Sequence, residues 1–203
     1  MSSSSSRLSS RVPFIADASV IINLIATGRP REIIEALGHP FLVTENACVE
    51  LEEGARKGHD DHAELMKLIS AGVVTMVTLG DTALVAYEQL IDGSYVRTLD
   101  DGEAATIAHA QAISAVPLLD ERKARSICAA SFSNLSMLCS AELLMDSALA
   151  AKFGALGQVD LIVNALKMGR MRVPSEHVAK IRNMIGENVA AQCPSLPKPR
   201  LRR

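Results

Sequence analysis

Two acids close apolar stretches that read as buried strands. Asp17 follows Phe14-Ile15-Ala16, and Asp120 follows Val116-Pro117-Leu118-Leu119. A carboxylate at such a place is costly to bury without a partner. One role for it is to cap the helix that follows; the other is to hold a cation. From the residues alone the two readings are equal for Asp17, and Asp120 shares either role with its neighbour Glu121. Glu50, in Thr44–Gly54 (TENACVELEEG), and Glu103, in Leu99–Ala110 (LDDGEAATIAHA), lie on helical stretches. Taken singly, Glu50 reads as a solvated helix face and Glu103 as a first-turn acid favoured by the helix dipole. Asp100 and Asp101 read as caps.

The combination says more than any member. Four carboxylates gathered at one sheet edge repel one another unless a cation joins them. Hard oxygen ligands suit Mg²⁺ or Mn²⁺. Such an ion lowers the pKa of a bound water and stabilises charge on a phosphoryl group, the two things that phosphodiester hydrolysis needs. Asp17, Glu50, Glu103 and Asp120, with Glu121 as the substitute for Asp120, are therefore the candidate catalytic and metal-holding residues. Arg122, Lys123 and Arg125 follow the last acid at once. They are candidates for holding substrate phosphates; the plainer reading is a solvated or charge-neutralising face. A second basic group (Lys167, Arg170, Arg172) and a third at the C-terminus would add salt-sensitive binding to a nucleic-acid backbone.

The elements that must position these residues alternate. Strands are expected at Val12–Asp17, Pro40–Thr44, Val73–Thr78, Val116–Leu119 and Leu135–Cys139. Helices are expected at Ser19–Ala26, Arg31–Leu37, Glu45–Ala55, Asp60–Ala71, Asp81–Ile91, about Asp101–Ile113, Glu121–Ala130, Ala141–Phe153, Val159–Met168 and Ser175–Ile185. Alternation of this kind predicts an α/β fold: a three-layer α/β/α sandwich around a central parallel sheet of about five strands. Sites in such sheets form at the carboxyl ends of strands, where Asp17 and Asp120 fall. Residues 1–11 read as a disordered Ser-rich tail, 12–187 as one domain, and 188–203 as a flexible basic tail.

Four stretches, FIADASVIINL, ENACVELEEG, LDDGEAATIAHA and VPLLDERKAR, occur in the order found in PIN-domain proteins. The chain resembles that family, and within it the subgroup with a GEA-type third motif and an LLD-[DE]-R-K-A-R fourth motif. The resemblance implies an α/β/α sandwich with a parallel sheet, and an acidic cluster of Asp17, Glu50, Glu103 and Asp120 that binds Mg²⁺ or Mn²⁺. It also implies a ribonuclease acting on RNA, with Ser19 supporting the site. Many bacterial members are toxins, so an antitoxin protein and a second copy in a homodimer are the implied partners.

Other chemistry finds less support. The net charge is −2 and the pI about 6.2, so global electrostatics do not announce a nucleic-acid partner, although a local basic surface suffices for one. Cys48, Cys128, Cys139 and Cys193 form no CxxC pair and read as buried free thiols of a reducing compartment. No secretory leader and no apolar run of ~18 residues is seen, which predicts a cytoplasmic protein with no membrane partner. His59-Asp60-Asp61-His62 suggests a metal-dependent phosphohydrolase but reads better as a solvated helix start. No G-x-S-x-G, P-loop or G-x-G-x-x-G is present. Two rivals stand beside the nuclease: a non-catalytic PIN-like module that binds RNA or protein, and a Mg²⁺-dependent small-molecule phosphatase, which would usually carry a D-x-D pair that Asp17-Ala18-Ser19 lacks.

Overall fold

Apolar β-branched and aromatic runs give the strands, and helices fill the crossovers between them. The computed structural model describes residues 11–92 and 98–197. In chain order the elements are β1 (Phe14–Ala16), α1 (Ala18–Ala26), α2 (Pro30–Leu37), β2 (Phe41–Thr44), α3 (Glu45–Ala55), α4 (Asp61–Ser70), β3 (Thr75–Val77), α5 (Asp81–Ile91), α6 (Asp101–Ile113), β4 (Val116–Leu118), α7 (Arg122–Ser131), α8 (Ser140–Leu144), α9 (Ser147–Lys167), α10 (Ser175–Ile185) and α11 (Glu187–Ala190).

The strands form one parallel sheet in the order β3-β2-β1-β4. Phe14 stands in register with Phe41 on one side and Val116 on the other. Alternate residues face opposite layers. Phe14, Ala16, Phe41 and Val43 join the larger core with α1, α2, α4, α9 and α10, whereas Ile15 and Leu42 pack toward α6. Half of the buried residues of helix α6 are alanines (Ala104, Ala105, Ala108, Ala110), so it lies close on the sheet. Helices α5 and α7 close that layer around Leu90, Leu99 and Leu119. This is the expected three-layer sandwich. The strand order reverses between β1 and β4, and at such a switch point a crevice opens at the strands' carboxyl ends.

Three expectations are corrected. The sheet has four strands among the described residues, not five. The expected strand Leu135–Cys139 contributes a single bridge, Leu138 to Leu118, in which the Leu138 N–H donates to the Pro117 carbonyl at 3.1 Å and the Leu119 N–H to the Leu138 carbonyl at 2.9 Å. Pairing cannot continue, because the chain turns into α8 at Ser140. The single helix expected over Ala141–Phe153 is two: Asp146 accepts from the Ala148 N–H at 2.7 Å and starts α9 afresh. Finally, the segment from 188 onward is packed as far as Leu196. Ala190, Cys193 and Leu196, three residues apart, bury one face in the larger core, and the buried Arg182 donates to the Pro197 carbonyl. Residues 1–10 and 198–203, the rest of the expected tails, lie outside the described residues, while Arg11 is held by the Leu37 carbonyl at 2.7 Å.

Helix α9 is long and apolar enough to cross a membrane by length and composition. It is, however, broken at Gly154 (φ 73°, ψ 167°), and it buries Leu149, Leu161, Ile162 and Leu166 in the core.

Candidate metal centre

Asp17 sits at the end of β1 and is the N-cap of α1. Its Oδ2 accepts from the Ser19 hydroxyl at 2.7 Å and from the Ser19 N–H at 3.3 Å. Its Oδ1 is buried with no hydrogen-bond partner. The capping reading therefore holds for one oxygen, and the other is left bare. Burial pushes the carboxyl above its ordinary value against the pull of Ser19, and Asp100 pushes the same way.

Asp120 follows β4 and is as deeply buried. Its Oδ1 accepts from the Ser140 N–H at 2.8 Å; its Oδ2 accepts from the Ser140 hydroxyl at 2.5 Å and from Asn23 Nδ2 at 2.7 Å. Desolvation raises its pKa in spite of these bonds, and Asp17 adds to the rise. The neighbouring Glu121 turns away and pairs with Arg172. Of the two residues left open by the sequence, Asp120 is the one beside Asp17.

Glu50 and Glu103 arrive on helices. Where α6 meets α3, Gly102 has no side chain and the helices approach closely: a Cβ there would stand 2.7 Å from Glu50 Oε2, 3.4 Å from Asp17 Oδ1 and 3.5 Å from the Ala47 Cα. The Glu50 side chain as a whole is exposed, but its carboxyl tip lies over Gly102. Its pKa is pushed up to about 7, first by desolvation and then by Asp17 and Asp100. Glu103 is buried in the first turn of α6. It too is pushed up to about 7, by desolvation, Asp17 and Asp100, against the Asp100 backbone amide and Lys123.

The structure therefore brings together all four sequence candidates, with Asp17 acting on the other three. It adds Asp100, which was read as a cap but makes no side-chain cap bond and instead raises Asp17, Glu50 and Glu103. It also adds Asn23 and Ser140, which fix Asp120. Asp101 is drawn off by Tyr87 and by Asn46 Nδ2. Of the basic candidates, Arg125 is half-buried, bonded to the Leu119 carbonyl and near Glu142 and Glu176. Lys123 acts on Glu103, and Arg122 is exposed.

These residues fit a hard divalent cation. The donors are carboxylate oxygens, one is bare and buried, and a Cβ at Gly102 would crowd Glu50 Oε2 and touch that bare Asp17 Oδ1. The carboxylates are splayed: among the described residues, the trio of acidic, His or Cys ligand atoms lying within 4.8 Å of one another is Cys139, Glu142 and His177. Mg²⁺ keeps several waters and tolerates such an open set. The Cys139 trio is explained without an ion. Glu142 Oε2 accepts the Cys139 N–H at 2.9 Å, its Oε1 faces His177 at 3.4 Å, and Arg125 stands 3.8 Å away.

A parallel sheet with its switch point beneath gathered carboxylates defines the class, a nuclease-type α/β/α domain. The chain belongs to the PIN domain family, whose profile matches residues 13–187. PIN domains are generally nucleases and generally use divalent metals. No curated protein matches the chain.

Proposed function

We propose that this protein is an endoribonuclease that uses Mg²⁺ or Mn²⁺, held by Asp17, Glu50, Glu103 and Asp120. The observation that carries the reading is the bare, buried Oδ1 of Asp17 among carboxylates that push one another's pKa values up. When bound, the ion offsets that repulsion, activates water and stabilises charge on the phosphoryl group. The protein's own residues do the rest. Ser19 fixes Asp17, and Ser140 with Asn23 fixes Asp120, so the two strand-end carboxylates are pre-oriented. Glu50, the exposed member of the four, would take a proton from a water and release it to solvent. Lys123 offsets negative charge at Glu103. A toxin role with an antitoxin partner is part of the same proposal and rests on the motif resemblance.

The test is cleavage of labelled single-stranded and structured RNAs with Mg²⁺, Mn²⁺ or EDTA. Cleavage is expected with either metal, and none with EDTA or in Asp17→Asn. RNA binding without cleavage in any metal would overturn the enzyme and leave a non-catalytic PIN module.

A further inference from the structure

Two grooves open on either side of the carboxylate cluster. The one beside Glu50, about 830 Å³, has Lys57 and Arg170 against Glu53, Asp60 and Asp61. The one beside Asp120, about 690 Å³, has Arg122, Arg125 and Arg172 against Glu121 and Glu176. Leaving out the cluster's own Glu50 and Asp120, acids outnumber cations in the first groove and cations outnumber acids in the second. A polyanion leaving the cluster is therefore favoured in the second groove over the first. Met137, Val173 and Pro174 give the second groove an apolar floor on which sugar and base faces can rest.

The three arginines there differ. The side chain of Arg125 is 18% exposed and is tied to Leu119, Glu142 and Glu176. That of Arg172 is 70% exposed, and its one ion-pair partner among the described residues is Glu121, itself 40% exposed. Arg122 is exposed and makes no ion pair among the described residues. An ion pair as open as Arg172–Glu121 is weak and exchangeable. A phosphodiester chain anchored at the cluster presents its next phosphate at high effective concentration, and guanidinium binds phosphate through two parallel hydrogen bonds.

We propose that Arg172, with Arg122, clamps the phosphate next to the scissile one in an RNA chain, and that Glu121 is the resting counter-ion which that phosphate displaces. The inference rests on the nuclease reading above and adds to it the direction in which the substrate leaves the site.

The test is fluorescence anisotropy of a short labelled single-stranded RNA with the full-length protein in Mg²⁺. Every protein carries Asp17→Asn so that the RNA survives. Adding Arg172→Ala is expected to weaken binding by about tenfold and to lower the salt slope by about one. Adding Glu121→Gln is expected to tighten binding by about threefold, while Lys57→Ala leaves it unchanged. If the parent binds and Arg172→Ala binds within about twofold of it, the clamp is wrong and the nuclease reading stands. Loosening by Glu121→Gln would mean that Glu121 orients Arg172 and does not compete, which overturns its role as counter-ion. If the parent binds no RNA in saturating Mg²⁺, the clamp falls, and the cleavage assay on the wild-type protein decides the nuclease reading separately.

Discussion

Asp17 divides its two oxygens between structure and chemistry. Oδ2 caps α1 through Ser19, while Oδ1 is bare among Glu50, Asp100, Glu103 and Asp120. The cost of that arrangement is measurable in pH. Unfolded, Glu50 and Glu103 ionise near 4.5; folded and metal-free, they ionise near 7. Between those values the folded state holds more protons, so stability falls as pH rises through that window. Glu32, Glu176 and Glu187 are shifted down, and their contribution changes only below 4.5. Half-buried His109, lowered from 6.5 by desolvation, works in the opposite sense. The clean comparison is therefore between wild type and Glu103→Gln, melted in EDTA at several pH values from about 5 to about 8. The melting temperature of wild type is expected to fall more steeply with rising pH than that of the variant, and saturating Mn²⁺ is expected to flatten the difference. Equal slopes in EDTA would mean that Glu103 does not share the cluster. At this scale the acids themselves were legible from their position after apolar runs and from their motifs. Asn23 and Ser140 were not, because their partner Asp120 is 97 and 20 residues away in the chain. Asp100 looked like a cap because its backbone occupies that position while its side chain does not act as one.

The elements bring these residues together through two devices. One is the order β3-β2-β1-β4, which sets β1 beside β4 and so Asp17 beside Asp120. The other is the close approach of α6 to α3 at Gly102, which leaves room for the Glu50 carboxyl. Gly102→Ala separates packing from chemistry. Where the backbone allows it, alanine in place of glycine gains about 0.4–1 kcal/mol by restricting the unfolded chain, and the added Cβ meets the movable tip of Glu50. The melting temperature should hold or rise, while metal-dependent cleavage falls by about tenfold or more, a displacement of one ligand being enough for that. Unchanged cleavage would remove Glu50 from the site. The alternation of strands and helices was legible because the first four strands are short apolar runs between clear stop signals. The fifth was not, since its pairing depends on Leu118, distant in sequence, and on the use of Ser140 to bind Asp120. The split between α8 and α9 had a signal, the Asp146-Ser147 start, which the apolar residues around it obscured.

For the whole molecule, the net charge of −2 concealed a groove that gathers Arg122, Arg125 and Arg172 beside Asp120. A sum over the chain cannot show how charge is divided between two sides of one site. Composition misled in the same way at the C-terminus, where proline and basic residues suggested a loose tail although Ala190, Cys193 and Leu196 are buried. Leu196→Ala is expected to cost about 2–3 kcal/mol in urea unfolding, toward the low end for such a change because the turn after α11 that carries it collapses readily. A loss below about 0.5 kcal/mol, the range of surface substitutions, would mean that this segment does not pack. At this scale the gathered carboxylates are proposed to make one divalent-cation site with Asp17 at its centre. It is tested most directly by titrating Mn²⁺ into wild type and Asp17→Asn and following free ion by electron paramagnetic resonance. Saturable binding to wild type is expected, and binding weakened by about tenfold or more in the variant, with both proteins folded by circular dichroism. Equal binding to the two proteins would contradict it.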